Sequence, residues 1–176
     1  MRTYLRNRTV GGTYFFTVNL AERQGNRLLL EHIEVLRAAF RRTCLERPFT
    51  TIAWVVLPEH LHCLWRLPAG DDDYATRWRL IKSRFSRAVP RTERRSASRL
   101  AKAERGVWQR RYWEHLIRDD ADLRAHVDYI HINPVKHGHA PRVLDWPHSS
   151  FHRYVERGWL DEDWACDPGC VVVGER

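Results

Sequence analysis

No part of the sequence stays apolar for long. The longest apolar runs, such as residues 52–57 (IAWVVL), fall far short of the roughly 20 apolar residues that cross a bilayer, so no membrane partner is expected. Cysteine is scarce, four in 176 residues, which excludes a disulfide-dense scaffold. Cys44 and Cys63 fall in apolar-patterned segments and read as reduced packing residues. Cys166 and Cys170 stand in CDPGC, separated by three residues rather than two and with no second pair, against the usual zinc spacing. The opening MRTYLRNRTVGGTYFF lacks the apolar core of a secretory leader, so a cytoplasmic protein is expected. What remains, 43% hydrophobic and 30% charged residues, suits a folded globular chain rather than a disordered one.

Acidic charge is also in short supply. Thirty Lys and Arg against 22 Asp and Glu leave a net charge of +8. The excess is concentrated in residues 76–118, where the many arginines and lysines meet only Glu93, Glu104 and Glu114. Arginine dominates there, and its planar fork matches phosphate oxygens better than an ammonium does. That favours a nucleic-acid partner over a merely solvated face. A long clean apolar face, which a membrane-surface helix needs, is missing from this segment.

The hydrophobic period sets the elements. GTYFFTVNL (12–20) is aromatic and β-branched, and reads as a strand. EHIEVLRAAFRRTCLER spaces Ile33, Leu36, Phe40 and Cys44 as a helix that Pro48 closes. FTTIAWVVL and HLHCLWRL are strands joined at LPEH, which gives β-α-β-β, the opening of a split β-α-β arrangement. A second helix follows AGDDD and buries Trp78, Ile81 and Phe85; Arg77, Arg84 and Arg91 recur every seven residues beside them and are expected to line one groove. Residues 90–105 read as a mobile basic loop. VWQRRYWEHLIR reads as a fourth strand in which Arg110 and Arg111 lie among aromatics. That mixture suits unpaired nucleotides, although Trp108, Tyr112 and Trp113 fit equally well as core or edge aromatics. A last long helix is capped by Asp119 or Asp120 and carries Leu123, Val127 and Ile130 on its apolar face. Tyr129 and Asn133, four apart, share another face with His126 beside them, and Pro134 is expected to stop or distort the helix at Asn133. DWPHSSFHRYV reads as a short terminal helix or docked loop. The expected fold is therefore one α+β domain, a ferredoxin-like antiparallel sheet of about four or five strands with helices mainly on one face. Its folded unit is expected over 1–155, with a tail over 156–176.

In VVLPEHLHCLW, His60 and His62 are one residue apart on a strand, so they project from the same side. Two such imidazoles can hold a metal or form an ordinary half-buried polar pair, and the spacing does not decide between them. Lys136 and His137, in PVKHG, suit either a phosphate or a helix C-terminus.

Taken in order, GGTYFFTVNL, RPF, AWVVLPEHLHCLWRLPAGDDD, RWRLIKSRFS, WQRRYWEHLIRDDADLRAHVDYIHINPVKHG and DWPHSSFHR resemble the REP-associated tyrosine transposases, a branch of the single-tyrosine HUH transposases. The resemblance covers most of residues 11–153, and its most specific blocks are the His-Leu-His strand and YIHINPVKHG. It implies an HUH-type fold and His60 and His62 as ligands of a divalent ion, Mg²⁺ or Mn²⁺. It also implies Tyr129 as nucleophile and, one helical turn on, Asn133 as the third metal ligand, in a place where related transposases usually carry glutamine. The implied substrate is single-stranded DNA in REP hairpins with unpaired flanks. The stem phosphates would meet Arg77, Arg84, Arg91, Arg110, Arg111 and Lys136, in a monomer associated with the nucleoid. Two other readings share parts of this pattern. One is a non-catalytic repeat-DNA-binding protein derived from a transposase; the other is a metal hydrolase that uses the histidines and an activated water.

Overall fold

Four aromatic and β-branched segments pair into one antiparallel sheet, in the order β2-β3-β1-β4. The computed structural model describes residues 8–164. Within them the strands are β1 (Thr13–Asn19), β2 (Thr50–Val56), β3 (His60–Arg66) and β4 (Trp113–Leu116). The helices are α1 (Leu28–Glu31), α2 (Ile33–Glu46), α3 (Tyr74–Ala88), α4 (Ala97–Ala101), α5 (Asp120–Lys136) and α6 (Phe151–Glu156), with a 3-10 turn at Val143–Asp145. The α+β class and strand count match expectation. Cys166 and Cys170 lie outside the described residues.

Strand β3 is central, and its alternation sends side chains to both faces. Leu61, Cys63 and Trp65 join the core beneath α2 and α3, where Trp65 stacks on Trp78 at 4.4 Å. Leu64 faces the other way, into a core completed by Phe15, Val55 and Ile130 of α5. Helices therefore cover both faces of the sheet. α2 and α3 meet the expectation of one helical face, and α5 adds a second. This is why β3 is buried from His60 to Trp65 rather than alternately wet and dry.

Three local expectations change. The basic stretch contains α4, and two of its arginines are engaged within the fold: Arg99 donates to the Arg105 and Trp108 carbonyls at 3.0 Å, and Arg105 pairs with Glu93. The fourth strand begins only at Trp113. Before it, residues 107–109 pair only with the end of β1, where Ala21 N–H donates to the Val107 carbonyl and Gln109 N–H to the Asn19 carbonyl, and Trp108 buries its ring on Phe85 at 5.3 Å. Trp108 therefore serves the core rather than a nucleotide. The α5 helix runs past Pro134 to Lys136. Proline there forfeits only its own N–H in the last turn. The end is then closed by Gly138 at φ 69°, where the Gly138 and His139 N–H groups donate to the Val135 and Pro134 carbonyls.

The edge of β2 is covered by the chain's later part. Val56 N–H donates to the His148 carbonyl, Ser150 N–H to the Trp54 carbonyl, and Trp54 N–H to Ser150 Oγ, each at 2.9 Å. An edge occupied in this way offers no free ladder to a second chain. Among the described residues, no helix is long and apolar enough to cross a membrane.

Candidate active site

His60 and His62 project from β3 onto the face that α5 covers, with ring centroids 4.9 Å apart. Register fixes their neighbours: Thr17 of β1 lies opposite His62, and its Oγ1 is 2.9 Å from Nδ1. His60 Nδ1 lies 3.0 Å from Glu59 Oε1, and Glu59 is held by Arg23 at 3.2 Å. A hydroxyl and a carboxylate thus engage the two Nδ1 atoms, which orients each ring to offer Nε2, the usual outer support of a metal-binding imidazole. Burial, followed by the charges of His60, His137, Lys136 and Arg23, holds His62 well below its ordinary 6.5, in the neutral form that ligates. Burial alone would raise Glu59, but the hydrogen bond and charge of His60, with Arg23, bring it down to about 2.

The α5 helix lays a polar stripe across this apolar face. Asp122, His126, Tyr129 and Asn133 recur at three- and four-residue spacing and are all buried. The Tyr129 ring meets His62 edge-on at 5.2 Å, and Lys136 Nζ lies 4.8 Å from its centre. The Tyr129 hydroxyl and both amide atoms of Asn133 are buried without a hydrogen-bond partner in the structure. Such orphaned groups are costly unless something binds them. Two imidazoles on one strand face and, on the helix packed over them, an amide without a partner are donor types that suit a divalent cation. Further along, His137 stands 5.6 Å from His60.

A second cluster lies at the other end of the stripe. His115 of β4 with Asp122 and His126 of α5 brings three potential ligand atoms within 4.8 Å of one another, a group that could hold a metal ion. Burial opposes ionisation of Asp122. Hydrogen bonds from His115 and from the backbone and side chain of Arg118 prevail, and its carboxyl sits at about 2.

The arginines divide differently from expectation. Arg77 is 1% exposed; it donates to Asp71 at 2.7 and 3.1 Å and to the Arg47, Pro48 and Asp73 carbonyls. It fastens α3 to the end of α2 and cannot line a groove. Arg84 turns to Thr43 and Glu46 on α2, and Arg91 lies beyond the end of α3. The seven-residue series therefore makes no common phosphate surface. Arg110 is exposed and pairs with Glu104 at 2.8 Å, and Arg111 is exposed beside it. A cavity of about 590 Å³ opens instead between α3, α4 and residues 107–112, lined by Arg79, Lys82, Arg87, Arg99, Arg110 and Tyr112. Arg79, Ser83 and Arg87 follow four-residue spacing opposite the apolar stripe, a signal in the sequence that the seven-residue pattern obscured.

No family model matches the chain. The chain is 48% identical to the REP-associated tyrosine transposase of Escherichia coli (strain K12), across 100% of its length and 98% of that protein. A relative from Haemophilus influenzae is 46% identical over 99% of each. Among solved structures, a REP-associated tyrosine transposase bound to a REP hairpin matches with a TM-score of 0.84 and 48% identity, covering 100% of this chain and 98% of that one.

Proposed function

The chain belongs to the REP-associated tyrosine transposases, and from that membership we propose that it binds REP hairpins and cuts and rejoins their single-stranded flanks through a covalent 5′-phosphotyrosine. One observation carries the reading. Tyr129 reaches the sheet face that bears His60 and His62 and packs on His62 at 5.2 Å, although 67 positions separate Tyr129 from His62 in the chain (129 − 62).

His60, His62 and Asn133 would hold the divalent cation, Mg²⁺ or Mn²⁺; when bound, it neutralises charge on the scissile phosphate, worth several kcal/mol in general. The protein's own groups do the rest. Tyr129 Oη attacks phosphorus, the bond to the 3′ oxygen breaks, and the phenol proton ends, through solvent, on that departing oxygen. The products are a 5′-phosphotyrosine and a free 3′ hydroxyl. Because the phosphate stays an ester, a second 3′ hydroxyl can reverse the step without an external energy source. Lys136, exposed and with its Nζ 4.8 Å from the centre of the phenol ring, is placed to meet the phosphate that Tyr129 attacks. The catalytic unit in this reading is the monomeric chain over 1–155.

A labelled hairpin oligonucleotide with Mg²⁺ or Mn²⁺, resolved on a denaturing gel, tests the reading. The wild type is expected to retain label covalently, and Tyr129→Phe to lose it by at least a hundredfold. Binding without any adduct would instead favour the non-catalytic repeat-binding protein.

A further inference from the structure

We propose that His115, Asp122 and His126 form a second cation site, separate from His60 and His62, that takes a borderline transition-metal ion such as Zn²⁺ or Co²⁺ and clips β4 to α5. The inference stands whether or not the chain cuts DNA.

The geometry is partly assembled. His115 Nε2 lies 2.9 Å from Asp122 Oδ2, and His126 Nδ1 lies 3.2 Å from Asp122 Oδ1. Donor atoms around one ion at about 2.0–2.2 Å stand roughly 3.0–3.5 Å from each other, so the His115–Asp122 edge of a coordination shell is already near length, and a ligand atom from each of the three side chains lies within 4.8 Å of the others. Two imidazoles and one carboxylate are a donor set that suits a borderline ion. The cluster also has an inside and an outside. Asp122 and His126 side chains are only 6% exposed, whereas His115 is 27% exposed and gives an entry route with room for water ligands. The His126 Nδ1–H donates to the Asp122 carbonyl at 2.7 Å, which leaves its buried Nε2, without a partner in the structure, as the nitrogen that would ligate.

Without an ion, Arg118 supplies the balancing charge. Its Nε lies 3.2 Å and its backbone N–H 3.0 Å from Asp122 Oδ2. The guanidinium is 73% exposed and can yield to a cation, while the backbone N–H remains to orient the carboxylate. His115 belongs to β4, and the other two ligands precede Tyr129 on α5, so a bound ion would fasten the tyrosine's helix to the sheet edge.

Metal content and titration calorimetry with Co²⁺ test the proposal, and the cobalt absorption band reports the ligands. The His60→Ala, His62→Ala chain is expected to keep one equivalent, which His115→Gln with His126→Gln then removes. Arg118→Ala, a change at an exposed side chain, is expected to tighten that equivalent a few-fold and to raise the metal-dependent gain in Tm. A His60→Ala, His62→Ala chain that binds no cobalt overturns the proposal, as does one whose equivalent is untouched by the His115 and His126 changes. Failure of the His60–His62 reading has a different signature: the wild type would bind no more cobalt than the His60→Ala, His62→Ala variant.

Discussion

At the scale of single residues, the site depends on side chains that touch no substrate. Thr17 fixes the His62 ring through Nδ1. Thr17→Val keeps the shape of that side chain and removes the hydroxyl, so manganese affinity should fall by about tenfold or more with little change in Tm. Arg77 is the contrasting case. Arg77→Ala would strand Asp71 and three carbonyls, with a cost toward the low end of about 3–5 kcal/mol because Asp71 keeps some contact with water. Chemical denaturation should show that loss, while the folded fraction should bind the hairpin as before. The histidine pair was legible in the sequence because strand alternation alone puts His60 and His62 on one side. Arg77 was misread because seven-residue spacing tells which residues share a helix face, not what that face meets. Here it meets the carbonyls of Arg47 and Pro48.

At the scale of elements, α5 concentrates most of what the sequence left open. Its apolar content was readable, yet Asp122, His126, Tyr129 and Asn133 form a buried polar stripe that periodicity would assign to solvent. They are inside because the sheet beneath them presents His62, Thr17 and His115, and only the strand register reveals that pairing. On the opposite side of α5, His131 is buried against Tyr154 and Phe151, with Nε2 3.0 Å from Ser150 Oγ. Burial, aided by the charge of Arg153, lowers it from 6.5 to about 3. The folded state thus keeps this ring neutral where the unfolded chain would protonate it. Its contribution is complete above pH 6.5 and is lost as pH falls from 6.5 toward 3, at up to about 1.4 kcal/mol per pH unit. Urea titrations across that window should show the slope, and His131→Phe should flatten it.

At the scale of the whole molecule, charge and chemistry occupy opposite faces of one sheet. The composition showed a basic protein, and the family blocks located the histidines and the tyrosine. Which arginines remain available could not be read, because their ion pairs with Glu46, Glu93 and Glu104 are set by tertiary packing and by the loop's own fold rather than by spacing along the chain. The cavity bearing Arg79 and Arg87 lies on the α3 side, while His60, His62 and Tyr129 lie on the α5 side. A hairpin that uses both must pass the edge of the sheet. If it does, Arg79→Ala and Arg87→Ala should each reduce the slope of log K against log salt by about one and weaken all hairpins alike. On the other face, in the proposed reaction, a phenol and two distant imidazoles act on one phosphate. Mass spectrometric mapping of the peptide left attached to DNA tests that reaction most directly. The account predicts a nucleotide 5′ phosphate on Tyr129, formed only with a divalent cation and lost in His60→Ala with His62→Ala. Attachment at another residue, or cleavage that leaves no attachment, would contradict it.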